Sequence, residues 1–175
     1  MSKFKELYNA DIARYKGETG PYLRIFFFLF RKTAVTTYAP LKLLYKVLYK
    51  LWAHRHGIEI GATMQIGKGL HLGHPFNITV NNNAIIGKNC CINKGAVIGA
   101  SNRGERKGCP TLGDKVWVGI NAAIVGKITI GDDVLIAPNS YVNVDVPSHS
   151  VVFGNPCVIK HKDWATEGYI GYPVD

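Results

Sequence analysis

His74 is the side chain of this sequence that is best suited to acid–base chemistry. It stands between Gly73 and Pro75, and an imidazole with a pKa near neutrality can act as a general base. That role requires a partner that accepts a hydrogen bond from the second ring nitrogen, and Glu59, fifteen residues earlier, is the obvious candidate. The alternative is that His74 is a polar turn residue, which is the commoner role of an isolated surface histidine.

The cysteines offer a second kind of chemistry. Cys90, Cys91, Cys109 and Cys157 show no Cys-x-x-Cys spacing, so we expect neither a zinc site nor any other bound metal. Four cysteines without a disulfide framework are typical of a reduced, cytoplasmic protein. Cys109 precedes Pro110 and is either a reactive thiol or simply a small residue, since no basic partner for the thiol is evident.

A six-residue period must position these side chains. An aliphatic residue recurs every six positions, and a small residue usually follows it. A helix repeats near 3.6 residues and a flat strand near 2, so this period predicts a parallel β-helix, in which each hexapeptide forms one short strand and one turn. The thirteen positions are Ile60, Ile66, Leu72, Ile78, Ile86, Ile92, Ile98, Leu112, Val118, Ile124, Ile130, Ile136 and Val142.

The period is interrupted twice. It slips by two residues around Asn81–Asn83, where we expect polar residues to leave the coil. It also lengthens between Ile98 and Leu112, which lets Ser101–Pro110 loop out. Loops on a rigid scaffold often carry binding residues, so both interruptions are candidate substrate contacts.

The chain divides into three parts by composition. Residues 1–56 are basic and aromatic and predict three helices, near 2–16, at 22–32 and from Pro40 onward. Residues 57–160 carry the repeat and form the predicted catalytic domain, and 161–175 form a C-terminal tail.

Nearly all of the net charge of +9 lies in residues 1–56, which hold eleven Lys and Arg against three Asp and Glu. Two interpretations remain open: the helices pack on the coil or on neighbouring subunits, or they also contact the anionic inner surface of a membrane. The aromatic run Phe26–Phe30 is too short to span a bilayer. No nucleic-acid-binding motif accompanies the charge, so nucleic acid is not an expected partner.

Five segments resemble the left-handed β-helix acetyltransferases, and most closely their serine O-acetyltransferase branch. Residues 57–60 (GIEI), 66–74 (IGKGLHLGH), 110–119 (PTLGDKVWVG) and 154–156 (GNP) carry the resemblance over about 57–160. Residues 11–15 (DIARY) resemble the helical extension of members that belong to surface-polysaccharide clusters.

The resemblance implies a homotrimer, or a dimer of trimers, that uses acetyl-CoA at sites between adjacent coils. His74 falls on the family's catalytic base and Glu59 on the carboxylate that orients it. His74 would deprotonate an acceptor hydroxyl, which attacks the thioester while a backbone amide stabilises the oxyanion. The positions implied for acetyl-CoA binding are Ala100, Gly119 and Ala137 along the pantetheine and Lys160 at the phosphates.

The sequence departs from serine acetyltransferases at the positions that hold the amino acid. Gly73 replaces the aspartate before the histidine, and Gly108-Cys109 replaces an Arg-His pair. We therefore expect a neutral sugar or lipid-linked sugar as acceptor, in surface-polysaccharide synthesis, contacted by Asn82, Asn83 and Cys109. The alternatives are a serine O-acetyltransferase of cysteine synthesis and a non-catalytic β-helix scaffold.

Overall fold

The computed structural model describes residues 2–175. Three N-terminal helices come first along the chain, and the six-residue repeats then form a coil of short parallel strands. The helices are α1 (Lys3–Ala13), α2 (Pro21–Val35) and α3 (Ala39–Arg55). The strands are β1 (Ile58–Ile60), β2 (Gln65–Ile66), β3 (His71–Gly73), β4 (Ile78–Val80), β5 (Ile85–Ile86), β6 (Cys91–Asn93), β7 (Val97–Gly99), β8 (Thr111–Leu112), β9 (Trp117–Val118), β10 (Ala123–Val125), β11 (Thr129–Ile130), β12 (Val134–Ile136), β13 (Tyr141–Val142), β14 (Ser150–Phe153) and β15 (Val158–His161).

The strands stack into three walls that enclose the core. The first wall has the order β1-β4-β7-β10-β13, the second β2-β5-β8-β11 and the third β3-β6-β9-β12-β14-β15. All neighbours are parallel except β14 and β15, which form an antiparallel exit hairpin. The inward side chains are aliphatic, and Ile92, Ile98, Ile124, Ile130 and Ile136 have no solvent exposure. The prediction of a parallel β-helix with an N-terminal helical extension is confirmed.

The structure corrects the register of the first interruption. Val80, and not Ile78, stacks on Ile60, while Ile78 stacks on Ile58. Six positions separate Gly73 from Thr79, whereas four separate their partners Asn93 and Val97 in the next turn. The two extra residues therefore lie in the corner between β3 and β4.

This corner, residues 74–77, is named the inserted corner below. Asn81–Asn83 form an ordinary corner of the coil, and the prediction that they bulge out of it was wrong. The second interruption lies where the sequence predicts it. Ser101 and Gly108 form two backbone hydrogen bonds of 3.0 and 2.9 Å, which close the loop between β7 and β8.

The corners of the coil need left-handed backbone, which Asn and Asp tolerate better than most residues. Asn77, Asn89, Asn121 and Asn139 have φ between +56° and +59°. Small residues are needed for a different reason. A Cβ on Gly67 would lie 2.7 Å from the backbone of Gly87 in the next turn, so the spacing of the turns excludes any side chain there.

The aromatic run of α2 is part of the core. Phe26 and Phe27 are fully buried and Phe30 nearly so, and the rings of Phe26 and Phe30 pack against Tyr49 of α3. The Tyr49 hydroxyl donates a hydrogen bond to the Ile60 carbonyl at 2.7 Å and so joins α3 to the first turn of the coil. Within residues 2–175, no helix combines the length and apolar character that a membrane span requires.

The C-terminal tail runs back along the coil towards the helices. The backbone N–H groups of Ala165 and Thr166 donate to Asp133 at 2.9 and 3.0 Å. Farther on, Val174 exchanges two hydrogen bonds with the Asn89 side chain, at 2.8 and 2.9 Å. The tail therefore braces several turns of the coil from outside.

Candidate active site

His74 lies on the inserted corner, directly after the last residue of β3. Its backbone is left-handed, with φ +48°, and its side chain is exposed. With this backbone conformation, on a corner that is two residues longer than the one in the next turn, the His74 imidazole points away from the aliphatic core of the coil. The placement suits a group that must reach a bound substrate.

Two tyrosines from the N-terminal segment hold the chain on both sides of His74. The Tyr15 hydroxyl accepts a hydrogen bond from the Leu72 N–H at 2.7 Å and lies 3.2 Å from the Leu72 carbonyl. The Tyr22 hydroxyl donates to the Pro75 carbonyl at 3.2 Å. Burial raises the pKa of Tyr22 to about 12 and that of Tyr15 further, so both hydroxyls stay protonated.

The position of the Asn93 side chain in the next turn accounts for the glycine at position 73. The Asn93 amide nitrogen donates to the Val118 carbonyl at 2.7 Å, and its amide oxygen occupies the space that a Cβ on Gly73 would need. A side chain at position 73 would require Asn93 to shift, so the glycine fits the packing of this coil.

Glu59 lies on the outer face of the first wall, in register with Thr79. It lines a cavity of about 800 Å³ between the coil and α3, together with Asn82 and Asn83. The coil and α3 thus bring three of the predicted site residues into one cavity. Within residues 2–175, no hydrogen bond connects Glu59 to His74 inside one chain.

Residues from α3 complete this cavity, although the sequence analysis did not identify them as site residues. Lys46, Lys50 and His54 line it opposite Glu59. The cavity therefore presents basic and acidic side chains to the same space. Lys46, Lys50 and His54 follow one another at four-residue spacing, which is visible in the sequence. The burial of Tyr49 and Ala53 determines which face of α3 turns towards the coil.

Cys109 lies at the end of the loop between β7 and β8 and contacts the corner that Asn81–Asn83 form. Its thiol donates to the Asn81 side-chain oxygen at 3.2 Å. Asn81 lines the cavity beside Asn82 and Asn83. Cys109 is thus placed next to the cavity, half-buried, with its thiol engaged in a hydrogen bond.

The positions implied for acetyl-CoA fall on two different edges of the coil. Gly119 and Ala137 follow β9 and β12 on the third wall and are stacked, because the Gly119 N–H donates to the Ile136 carbonyl at 2.8 Å. Ala100 follows β7 on the first wall, at the base of the loop. Lys160 lies on the exit hairpin with its ammonium group 5.7 Å from the centre of the Phe153 ring. Its exposed charge is free to meet a phosphate.

The chain is similar to known proteins over the coil. Residues 109–143 match the sequence profile of the bacterial transferase hexapeptide, six repeats. Serine acetyltransferase 4 of Arabidopsis thaliana is 33% identical over 127 residues, which cover 64% of this chain and 36% of that protein. Serine acetyltransferase of Helicobacter pylori is 36% identical over 107 residues, which cover 61% and 63%. The chain thus spans less than two thirds of the length of these relatives.

Solved structures agree on the fold. Serine acetyltransferase of Neisseria gonorrhoeae, in complex with serine, superposes with a TM-score of 0.70 at 26% identity, over 89% of this chain and 68% of that one. The soybean serine acetyltransferase apoenzyme superposes with a TM-score of 0.76 at 24% identity, over 90% and 69%, and shows the fold alone.

These matches overturn the prediction of a sugar acceptor in surface-polysaccharide synthesis, since the proteins found are serine acetyltransferases. The prediction took Gly73 as a lost serine contact, whereas the structure explains this glycine by the packing of Asn93. It also overlooked the charged cavity beneath α3. Over the coil, the chain is thus similar to the hexapeptide-repeat left-handed β-helix acetyltransferases.

Proposed function

We propose that this chain is an acyltransferase that moves the acetyl group of acetyl-CoA to the hydroxyl of L-serine, with His74 as the general base. The observation that carries the proposal is the exposed His74 on the inserted corner, held at Leu72 and Pro75 by two tyrosine hydroxyls. The similarity to serine acetyltransferases supports the choice of acceptor.

The proposed reaction is a direct transfer between two bound substrates. The imidazole of His74 takes the proton of the serine hydroxyl as the oxygen attacks the thioester carbonyl carbon. The carbon–sulfur bond then breaks, and the imidazolium returns its proton to the departing thiolate, which leaves as the free thiol of CoA. A backbone N–H stabilises the oxyanion of the tetrahedral intermediate.

The charges beneath α3 support an amino acid as acceptor. Serine carries an ammonium and a carboxylate, and both need partners of opposite sign when they leave water. Glu59 supplies a carboxylate, and Lys46 and Lys50 supply ammonium groups, to one cavity. This cavity lies against β4, which begins four residues after His74.

We also propose that the active unit is a homotrimer, as the resemblance to this family implies. Acetyl-CoA would lie along the row of Gly119 and Ala137, with its phosphates near Lys160. Bound there, it supplies the activated acetyl group. The residues of the chain bind acetyl-CoA, orient it and transfer the proton.

The decisive test is an acetyl-transfer assay on the purified full chain. L-serine and acetyl-CoA should yield O-acetylserine, identified by mass spectrometry, together with one free CoA thiol per product. His74→Ala should lower turnover about a hundredfold to ten-thousandfold while gel filtration and circular dichroism stay unchanged. Thiol release without O-acetylserine would overturn the choice of acceptor, and a His74→Ala variant as active as wild type would overturn the choice of base.

The role of Glu59 as the group that orients His74 stays a prediction with its own test. Glu59→Gln keeps the size of the side chain but removes its charge. If Glu59 stabilises the imidazolium, kcat should fall strongly with little change in KM for serine. If Glu59 instead holds the serine ammonium in the cavity, KM for serine should rise and kcat should change less.

A further inference from the structure

The side chain of Asn93 holds a hydrogen-bond acceptor next to the proposed general base, His74. Asn93 ends β6 and is the register partner of Gly73, the residue directly before His74. Only 7% of the surface of Asn93 is exposed. A buried amide normally has hydrogen-bond partners at both of its ends, so the partners of this side chain bear on what the neighbourhood of His74 can bind.

The amide nitrogen fixes the orientation of the Asn93 side chain. It donates to the Val118 carbonyl at 2.7 Å and lies 3.7 Å from the Cys91 sulfur. A carbonyl oxygen can accept only from the nitrogen end of an amide, so the oxygen end must be the one that faces Gly73. The oxygen thus occupies the space that a side chain at position 73 would fill, beside the residue that precedes His74.

The Asn93 oxygen has no donor of its own. Both contacts of the side chain use its nitrogen, and within residues 2–175 no N–H or O–H group donates to its oxygen. In this part of the chain, the enclosed side-chain atoms that lack a hydrogen-bond partner are the Arg14 Nε and the Thr19 hydroxyl oxygen. The Asn93 oxygen does not belong to these enclosed atoms and therefore keeps contact with solvent, so a bound molecule can reach it.

We propose that the Asn93 oxygen accepts a hydrogen bond from the ammonium group of the acceptor and thereby selects L-serine, an assignment that rests on the proposed transfer to serine. With its nitrogen engaged at Val118, the amide can only accept. The serine carboxylate has no proton to donate at neutral pH, and the serine hydroxyl gives its proton to His74. The ammonium group is the donor that remains.

The proposed contact leaves Glu59 free to orient the imidazole. An ammonium group that leaves water needs an acceptor, and Glu59 on the outer face of the first wall is the predicted partner of the His74 ring. The Asn93 oxygen offers a second acceptor, on the third wall beside Gly73. The hydroxyl and the ammonium group of serine stand on neighbouring carbons, so one molecule can present the first to His74 and the second to Asn93.

The test compares L-serine with 3-hydroxypropionate, which keeps the hydroxyl and the carboxylate but has no ammonium group. In the full chain, Asn93→Leu keeps nearly the size of the side chain and removes the oxygen. The ratio of kcat/KM for serine to kcat/KM for 3-hydroxypropionate should fall about tenfold to a hundredfold, because a hydrogen bond to a charged group is lost. Damage to the fold or to His74 would lower both values together and leave the ratio unchanged. Cys91→Ser, at the neighbour of the same amide nitrogen, is the matched control and should keep the wild-type ratio.

Several outcomes overturn the assignment of Asn93. One is an unchanged ratio in Asn93→Leu while wild type forms O-acetylserine, which would leave the proposed activity standing. Another is an equal fall of the ratio in Cys91→Ser, which would ascribe the effect to repacking around β6. If wild type forms no O-acetylserine, the proposed activity falls and this assignment falls with it. Asn93→Ala removes the same oxygen and decides by the same ratio if Asn93→Leu does not fold.

Discussion

Asp11 of α1 and Arg31 of α2 form a fully buried, two-pronged ion pair, with nitrogen–oxygen distances of 2.6 and 2.9 Å. The remaining bonding capacity of both groups goes to the backbone of the coil. Arg31 donates to the carbonyls of Ile66 and Gly67 at 2.9 and 2.7 Å, and Asp11 accepts from the Leu70 N–H at 2.9 Å. One ion pair thus fastens two helices to the first turn.

Removing one partner of this pair should be costly. Asp11→Asn leaves the Arg31 charge buried without a counter-charge, and we expect the free energy of unfolding to fall by about 3–5 kcal/mol. Urea denaturation followed by circular dichroism measures the loss. The half-exposed pair of Lys68 and Glu6, at 3.6 Å, is the control, and Glu6→Gln should cost less than about 1 kcal/mol. Equal effects of the two substitutions would show that the buried pair does not fasten the helices.

The hydroxyl of Tyr22 should matter for turnover and little for binding. Tyr22→Phe keeps the ring, which packs 4.0 Å from the His56 ring, and removes only the hydrogen bond to Pro75. A bond of this kind is worth about 0.5–1.5 kcal/mol, so kcat should fall up to about tenfold as the inserted corner loosens. KM for acetyl-CoA should not change. Tyr38→Phe, at a residue 69% exposed, is the control. A kcat equal to wild type would mean that Tyr22 does not position His74.

The coil was predictable from sequence because its cause is local. A six-residue period of aliphatic residues followed by small ones has few other structural solutions. The register of the first turn was not predictable in this way. Ile78 and Val80 are both aliphatic and stand two apart, so either can continue the series from Leu72, and only the pairing of Val80 with Ile60 decides.

The support of the candidate site depends on contacts between distant parts of the chain. Tyr22 and Pro75 are 53 positions apart, and Lys46 reaches the cavity of Glu59 only because α3 packs against β1. An aromatic run such as Phe26–Phe30 looks the same in sequence whether it is buried or exposed. The sequence therefore indicated His74, Glu59 and the helices, but not which residues of the helices lie beside the site.

The contact between Gly73 and Asn93 predicts a coupled effect on stability. Gly73→Ala forces its Cβ against the Asn93 amide oxygen and should cost about 1–3 kcal/mol. In the background of Asn93→Gly the clash is absent, so the same substitution should cost less. Urea denaturation of the two single variants and the double variant gives the coupling free energy. Gly171→Ala, where a Cβ would meet nothing within 4 Å, is the control. Additive effects would show that Asn93 is not what excludes a side chain at Gly73.

Attachment of the C-terminal tail should depend on the ionised carboxylate of Asp133. This carboxylate accepts hydrogen bonds from the Thr166 hydroxyl at 2.6 Å, the backbone of Ala165 and Thr166, and the His149 ring at 2.9 Å. Burial raises the pKa of Asp133, but these hydrogen bonds together lower it below its ordinary value. A lowered pKa in the folded state means that the stabilisation is complete above about pH 4, the range of an unfolded aspartate, and is lost as pH falls through the folded value.

Asp133→Asn should reproduce this loss at neutral pH, where the rest of the molecule is unaffected. The side chain can no longer carry the charge, and asparagine tolerates the left-handed backbone at this position, where φ is +52°. Since hydrogen bonds to a charged group are worth about 1.5–3 kcal/mol, hydrogen exchange of residues 164–174 should accelerate about tenfold to a hundredfold. Asp163→Asn, on a side chain 78% exposed, is the control and should leave exchange of the tail as in wild type. Unchanged protection of the tail in Asp133→Asn would mean that Val174, through Asn89, holds the tail without Asp133.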